Sequence, residues 1–231
     1  MSESVYLSVT NKTYRTMKQQ YCAIIGDINK SRSLQRRAQT QKKFKKAVAT
    51  INKEFKDDIA SKFLITLGDE FQGLLRTPLH NYQLICRFQE LMEPVSFTFG
   101  VGIGTLSTPL NTKEAIGMDG ECFYRARNAI QRAKKEKKKL VYDFDDPAVM
   151  LVNAIVVSVD AHGKLLNTTQ QKIVQLRNKG MTQRAIAQKL RITKQAVSKA
   201  ISTTMIKEME ESVEALEQFF HRYVMKVNHI G

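Results

Sequence analysis

Over the first 145 residues, short apolar runs alternate with longer polar segments that carry apolar residues at helical spacing. Five apolar runs predict β-strands, at 21–28, 63–67, 71–75, 95–103 and 140–144. Three amphipathic stretches predict helices, at 33–56, 79–92 and 121–138. Gly68 and Asp69 separate the second and third runs and predict a hairpin turn. Because strands alternate with helices, we predict an α/β or α+β domain built around one sheet.

The segment 146–159 is predicted to form a helix that is apolar around most of its circumference, as the run from Val149 to Val152 illustrates. Such a helix has to be buried, either against the sheet or against a second subunit. Residues 161–169 contain Gly163 and polar side chains, which predicts a linker. We therefore divide the chain into an N-terminal extension (1–19), a sheet domain that includes this helix (20–160), a helical domain (161–206) and a C-terminal helix (207–231).

Three short helices are predicted in the helical domain, at Gln170–Lys179, Gln183–Leu190 and Lys194–Met205. Gly180 can end the first helix in left-handed geometry, and Thr182 and Thr193 are N-cap residues for the next two. The spacing of six apolar residues fits a three-helix core: Ile186, Ala187, Leu190, Ile192, Val197 and Ile201.

The third of these helices then presents a polar face of the kind that reads DNA in a major groove, where Gln pairs with adenine and Lys with guanine or phosphate. The segment 180–201 resembles the helix-turn-helix modules of bacterial regulators, although Arg191 stands where their turn usually has Gly. The alternative is a three-helix packing module that does not bind DNA. The residues expected to contact DNA are Arg184, Thr193, Lys194, Gln195, Ser198, Lys199 and Ser202.

Charge supports the DNA-binding alternative. The chain has 37 basic and 22 acidic residues, a formal net charge of +15, and such an excess favours a polyanionic partner. Residues 161–206 contain nine basic and no acidic side chains, so the densest positive field coincides with the predicted DNA-reading segment. A merely soluble basic protein is the alternative interpretation.

Other parts of the composition exclude several classes of protein. Cys22, Cys86 and Cys122 are odd in number and far apart, which favours reduced thiols in the cytoplasm over a disulfide framework. The four histidines have no metal-ligand spacing. Because no apolar run approaches the roughly 18 residues of a membrane span and the start of the chain is polar, we expect a cytosolic protein.

The last segment carries a heptad stripe of apolar residues: Ile206, Met209, Val213, Leu216, Phe220, Tyr223 and Val227. Helix-turn-helix proteins usually read paired half-sites as dimers, so this helix can pair with a second copy. Packing on the protein's own domain is the alternative, and either arrangement buries Leu216 and Phe220.

Two acidic residues lie at predicted turns of the sheet domain. Asp27 ends the first strand and Asp69 lies in the hairpin, and a β-α-β-hairpin connection brings these turns to one sheet edge. Two carboxylates that meet there can hold Mg²⁺ or Mn²⁺ with open positions for a triphosphate. Glu70 is a further candidate ligand. The alternative is that Asp27 and Asp69 serve only as turn residues.

This arrangement resembles the α+β, palm-like (ferredoxin-like) fold of class III nucleotidyl cyclases and GGDEF-type cyclases. The segments GVGIGT (100–105) and GECFYRAR (120–127) are similar to the fourth strand and the following helix of that fold. The resemblance implies that Arg127 faces a nucleotide phosphate. It also exposes departures, because Ile65 stands where cyclases have a base-reading Lys, and Phe123 or Tyr124 replaces their helix Asn. A metal site without cyclisation is what these departures imply.

Taken whole, the chain is similar to the SatD family, on its IGDI…SR, GDEFQ and GMDG…FYRAR segments and a C-terminal helix-turn-helix. Ser31 and Arg32, in the first of these segments, join Arg127 as candidate nucleotide contacts. Our leading hypothesis is a dimeric regulator that binds double-stranded DNA and whose sheet domain binds a metal–nucleotide, without requiring catalysis. The alternatives are an active, Mg-dependent nucleotidyl cyclase or nucleotidyltransferase localised on DNA, and a non-catalytic dimerisation scaffold.

Overall fold

The fold comes from a computed structural model of the chain, which describes residues 19–29, 31, 36–66 and 68–229. Most of the predicted N-terminal extension lies outside these residues, as does Arg32. No helix in the described part combines the length and the apolar character needed to cross a bilayer.

Within the described residues, five strands form one sheet in the order β2-β3-β1-β4-β5, and eight helices accompany it. The strands are β1 (Tyr21–Ile28), β2 (Ile59–Ile65), β3 (Glu70–Leu75), β4 (Phe97–Gly104) and β5 (Leu140–Asp143). The helices are α1 (Arg37–Glu54), α2 (Asn81–Met92), α3 (Glu121–Glu136), α4 (Val149–Leu165), α5 (Thr168–Arg177), α6 (Gln183–Leu190), α7 (Lys194–Thr203) and α8 (Ile206–His229).

The first four strands and the helices between them have the ferredoxin-like β-α-β-β-α-β connection. β1 pairs antiparallel with both β3 and β4, β2 pairs antiparallel with β3, and β5 adds parallel to β4. The predicted α+β class and the ferredoxin-like sheet are therefore confirmed. Strand β2 begins four residues earlier than predicted, because two register shifts interrupt the alternation that the sequence pattern relies on.

Alternate side chains of β1 enter two different cores. Ile24 and Ile28 face the core formed with α1, α2, α4 and α8, whereas Ala23 and Ile25 face α3. The first core is built around stacked and edge-on phenylalanines: Phe44, Phe71, Phe88, Phe97 and Phe99. All five are fully buried, so this side of the sheet supplies most of the domain's apolar burial.

Helix α3 lies very close to the opposite face of the sheet. A Cβ atom built on Gly100 would be 2.4 Å from the carbonyl oxygen of Ala126, and one on Gly102 would be 2.1 Å from that of Cys122. Only glycine leaves room for this contact between helix and strand backbones. The alternating glycines of β4 thus set the height at which α3 holds its side chains above the sheet.

Helices α4 and α8 pack together against the edge of the phenylalanine core. Leu216, Phe220 and Tyr223 of α8 are buried there with Val152 and Val156 of α4. Of the two arrangements considered for the heptad stripe, the structure therefore has these residues on the protein's own sheet domain. One side of α4 thus packs on the sheet domain, the first of the two alternatives for this helix, and its other side is open in the single chain, with Met150 77% and Leu151 68% exposed.

The prediction of a linker at 161–169 is wrong, because most of this segment is helical. Helix α4 continues through Gly163 to Leu165, and α5 starts directly after its N-cap residue, Asn167. Asn167 and Gln170 form a capping box in which each side chain accepts the other residue's backbone N–H. A helix extension and a strong cap therefore leave almost no connecting segment.

Helices α5, α6 and α7 form a small three-helix module with its own core, which includes Ile173, Ile186, Val197 and Ile206. Thr182 caps α6 and Thr193 caps α7, accepting backbone N–H bonds of 3.3 Å and 3.0 Å. The predicted helix bounds agree within two residues, and the predicted caps are confirmed.

Candidate functional site

Asp27 and Glu70 meet at one end of the sheet. Asp27 is the next-to-last residue of β1, Glu70 is the first residue of β3, and the two are direct cross-strand partners. Asp69 is adjacent, since its carbonyl oxygen accepts a 2.9 Å bond from the backbone N–H of Ile28. On the other side of Asp27, Thr98 of β4 is its cross-strand partner. The structure thus brings the three acidic residues of the sequence hypothesis to one sheet end.

Glu70 and Arg127 form a two-pronged ion pair across the space between the sheet and α3. The guanidinium nitrogens donate to the two carboxylate oxygens at 2.5 Å and 3.1 Å. The hydroxyl of Thr66 donates to the same carboxylate at 3.1 Å. The Glu70 side chain is only 9% exposed, whereas that of Arg127 is 42% exposed. Both carboxylate oxygens of Glu70 are therefore occupied by these hydrogen bonds. Glu70 in turn fixes the position of Arg127, and the outer part of the guanidinium remains in solvent.

Asp27 has its own cationic partner, Lys134. Arg127 and Lys134 are seven residues apart and thus lie on the same face of α3, above Glu70 and Asp27 respectively. The Asp27 side chain is 14% exposed, and that of Lys134 is 48% exposed. Sequence reasoning missed Lys134, although its seven-residue spacing from Arg127 was a usable signal. Two acids from the sheet and two bases from α3 make a charge-balanced site that is open on the helix side.

Asp69 lies outside this ion-paired group. Its carboxylate accepts a 2.7 Å bond from the hydroxyl of Ser31, so the loop after β1 and the hairpin are linked by polar side chains. Arg32, the third nucleotide-contact candidate, lies outside the described residues. Within the described ranges, no three His, Cys, Asp or Glu side chains are grouped so that they could hold a metal ion.

The positions that depart from the cyclase pattern carry two apolar side chains and one phenol. Ile65 is a half-buried apolar residue at the end of β2 that packs against the phenylalanine core. Phe123, in the first turn of α3, is buried between this helix and the sheet. Tyr124 is 60% exposed, and its hydroxyl donates to the carboxylate of Asp119 at 3.0 Å. Ile65 and Phe123 are apolar, and the one polar group at the three positions is the Tyr124 hydroxyl, which is bonded to Asp119.

The polar face of α7 is fully open in the three-helix module. Val197 turns inward and is fully buried. The predicted DNA contacts all lie in the exposed class: Arg184, Thr193, Lys194, Gln195, Ser198, Lys199 and Ser202.

None of the three basic residues in that set, Arg184, Lys194 and Lys199, has an ion-pair partner among the described residues. Other basic residues of the module are engaged in ion pairs. Arg177 binds Glu210 of α8 through two 2.5 Å bonds, and Lys179 lies 3.2 Å from Glu90 of α2. The ion-paired side therefore anchors the module to the rest of the chain, and the open side displays uncompensated positive charge.

Fold and site together define a protein with a nucleotidyl cyclase-like, ferredoxin-type sheet domain followed by a helical module. The SatD family profile matches residues 21–213, and the chain belongs to the SatD family.

Solved structures with similar folds include the monomeric guanylyl cyclase domain of the RhoGC fusion protein from the aquatic fungus Blastocladiella emersonii. It is 14% identical with a TM-score of 0.36, over 49% of this chain and 75% of that one. The catalytic core of a rhodopsin-guanylyl cyclase with converted specificity, in complex with ATPαS, is 15% identical with a TM-score of 0.34, over 49% and 72%. None of the curated proteins matches the chain.

Proposed function

We propose that the protein is a cytosolic, dimeric DNA-binding regulator whose sheet domain binds a metal–nucleotide. The observation that carries the DNA-binding part is the open face of α7, where Lys194, Gln195 and Lys199 are exposed above the buried Val197. Residues 161–206 contain no acidic side chain that would repel phosphate. A short helix with a rigid cap and free Gln and Lys side chains fits a major groove and can form hydrogen bonds with base edges.

The proposal of metal–nucleotide binding is based on the acidic residues at the end of the sheet where β1 ends and β3 begins. Oxygen donors suit Mg²⁺ and Mn²⁺, which proteins commonly hold with one or two carboxylates while the substrate's phosphates complete the coordination. Asp27 and Asp69 would hold the ion, which would displace Lys134 from Asp27, because both oxygens of Glu70 are already taken by the bidentate Arg127 and by Thr66. When bound, the ion would neutralise the phosphates. Arg127, held by Glu70 and half in solvent, would bind a phosphate oxygen.

Binding without turnover is the form of this activity that the residues favour. Ile65 and Phe123 supply no polar group for a base or for a reacting ribose, and the hydroxyl of Tyr124 is bonded to Asp119. The sheet domain would accordingly serve as a sensor, with α4 and the α2–α5 contacts connecting it to the three-helix module.

The open side of α4 supports the dimer. With Leu216, Phe220 and Tyr223 packed inside the chain, the heptad stripe is not free to pair through those residues. Met150 and Leu151 remain largely exposed on α4, and a symmetric contact through this uncharged surface would bring no like charges together. Light scattering should detect a dimer, and Leu151→Glu, at a position that is 68% exposed, should shift it to monomer without unfolding.

DNA binding is tested by the double variant Gln195→Ala/Lys199→Ala. A DNA sequence is first selected with the wild-type protein from a randomised duplex library, and binding is then measured by anisotropy. Loss of a base contact should cost about 1–3 kcal/mol. The matched control, Gln39→Ala/Lys46→Ala, removes the same side-chain types from exposed positions of α1. Equal affinities for the two variants, or no selected sequence at all, would rule the proposal out.

Nucleotide binding is tested with Mg²⁺ or Mn²⁺ and each nucleoside triphosphate, following binding and turnover in parallel. Asp27→Asn should weaken metal-dependent binding, whereas Asp57→Asn, an exposed acid in the α1–β2 turn, should not. Turnover that disappears in Asp27→Asn would establish the nucleotidyl cyclase or nucleotidyltransferase alternative. Absence of both binding and turnover would leave the sheet domain as a scaffold.

A further inference from the structure

A cluster of lysines lies between the sheet domain and the three-helix module, outside both sites described above. We define this lysine cluster as Lys135, Lys137, Lys138, Lys139 and Lys164. The first four come from the end of α3 and the loop that enters β5, and Lys164 comes from the last turn of α4. Lys137, Lys138, Lys139 and Lys164 line one shallow cleft, so the two elements form a continuous surface.

The cluster keeps an excess of positive charge. Lys138 pairs with Glu136 and Lys164 pairs with Asp160, each at 2.6 Å. Lys135, Lys137 and Lys139 are exposed and have no ion-pair partner in the described part of the chain. Three adjacent uncompensated ammonium groups repel one another, and a polyanion that neutralises them relieves this repulsion.

The topology places the cluster at the same end of the sheet as the module. β4 and β5 are parallel neighbours, and the backbone N–H of Phe99 donates to the carbonyl of Lys139 at 2.8 Å. The loops that enter these two strands therefore lie side by side. The loop entering β4 follows α2, where Glu90 contacts Lys179 in the turn after α5 at 3.2 Å and Glu93 contacts Gln175 of α5 at 2.8 Å.

Helix α4 gives a second connection, because Lys164 lies only four residues before the start of α5. His162, two residues earlier, hydrogen-bonds the carbonyl of Thr204 directly after α7, at 2.5 Å. The cluster thus adjoins two of the module's attachments to the rest of the chain, the contacts with Glu90 and Glu93 and the contact with α4, and the Arg177–Glu210 pair with α8 is a third.

We propose that the lysine cluster is a second DNA contact, which binds the phosphate backbone next to the segment read by α7 and does so without sequence preference. This inference rests on the proposed DNA-binding function. Phosphate contacts position a protein on the duplex, and base contacts specify the sequence. The module supplies the specificity, and the cluster adds affinity and extends the bound length.

The test compares two triple variants of the full chain. Lys135→Gln/Lys137→Gln/Lys139→Gln removes the uncompensated charges of the cluster. Lys42→Gln/Lys45→Gln/Lys46→Gln removes three equally exposed charges from α1, on the opposite face of the sheet from α3. All six positions are on the surface, so both proteins should fold, which circular dichroism checks.

Dissociation constants are measured from 50 to 200 mM salt on random-sequence duplexes of about 15 and about 40 base pairs, lengths chosen from the roughly 10-base-pair helical turn. Each lysine that contacts phosphate contributes about 0.9 to the slope of log affinity against log salt, so the cluster variant should lose about 2–3 in slope. On the long duplex, raising the salt from 50 to 200 mM should therefore weaken binding of the wild type by a factor about 40 times larger than the factor for this variant.

On the short duplex, the two triple variants should differ little. Equal slopes for both variants on the long duplex would show that only total charge matters and would overturn the inference alone. A wild-type protein that binds neither duplex, and that selects no sequence from the library, would overturn the proposed function together with it.

Discussion

The sheet domain and the three-helix module are stabilised in different ways. The sheet domain buries five phenylalanines in one cluster, with ring centroids as close as 4.2 Å. Residues 161–206 contain no Phe, Tyr or Trp, and their core consists of aliphatic side chains of moderate size. Because buried apolar area is the main source of stability, the module should be much the less stable of the two regions.

The two regions also differ in whether their candidate functional residues contribute to stability. In the sheet domain the candidate site is made from groups that pair with one another, so Asp27 serves both folding and ligand binding, and Glu70 positions Arg127. In the module the candidate contacts are exposed and make no ion pairs within the described chain, whereas stability comes from Val197, the threonine caps and the Arg177–Glu210 pair. Substitutions in the module can therefore separate binding from folding, whereas a substitution in the sheet site such as Asp27→Asn has to be followed by both a binding and a folding measurement.

The largest expected effect tests whether α8 belongs to the sheet domain. Leu216→Asp would bury a carboxylate among apolar side chains in the core shared by α4, α8 and the sheet, which should cost more than about 4 kcal/mol or prevent folding. Unfolding followed by near-ultraviolet circular dichroism of the aromatic cluster is the measurement. Ala215→Asp, at the exposed neighbouring position, should stay within about 0.5 kcal/mol of the wild type. An aromatic signal that survives Leu216→Asp would place α8 outside this core.

The next effect concerns the thiols, which are confined to the sheet domain. Burial raises the pKa of Cys122 to about 12 from its ordinary value of 9.0, which makes the reactive thiolate about a thousandfold scarcer at a given pH. Iodoacetamide labelling at pH 8 should therefore be slow in the native protein and fast in guanidinium chloride. Peptide mass mapping identifies the labelled residue. Native labelling of Cys122 at the unfolded rate would show that the sheet domain does not shield this thiol.

The pH dependence of stability follows from the same shift. A thiol whose folded-state pKa is raised favours the folded protein while it stays protonated, so this contribution is complete below about pH 9. It should decrease as the pH rises from about 9 toward 12, through the folded-state pKa of Cys122. Cys122→Ser should show a smaller decrease over that range in urea titrations at each pH.

A smaller effect isolates the module. Thr193→Ala removes the cap of α7 and should destabilise the module by about 1 kcal/mol while leaving the sheet domain unchanged. Thr203→Ala is the matched control, because Thr203 is exposed at the other end of the same helix and caps no N-terminus. Hydrogen exchange read separately for the two regions is the measurement. Equal protection of α7 in the two variants would contradict the role of the cap.

The sequence pattern located most elements where they lie, because β1, β3 and β4 are clean apolar runs and Thr182 and Thr193 precede their helices. The sequence pattern gave wrong or missing predictions where contacts between distant parts of the chain determine the structure. Gly163 and its polar neighbours predicted a linker, but the helix continues through them to a strong cap at Asn167. The pairing of Asp27 with Lys134 depends on how closely α3 approaches β4, and no local pattern expresses that distance.

The smallest effect concerns the backbone of the module's turn. Arg191 ends α6 with φ of 55°, in the left-handed region that glycine adopts without steric cost. Arg191→Gly should raise the stability of the module by up to about 1 kcal/mol, whereas Arg191→Ala keeps the Cβ and should give no gain. Both variants remove the same positive charge, so their difference reports the backbone alone, and any common loss of DNA affinity reports the charge. Module-resolved hydrogen exchange measures the first quantity and salt-dependent DNA binding measures the second. Identical protection in the two variants would mean that the turn relaxes around Arg191, and the module would then be less rigid than its caps suggest.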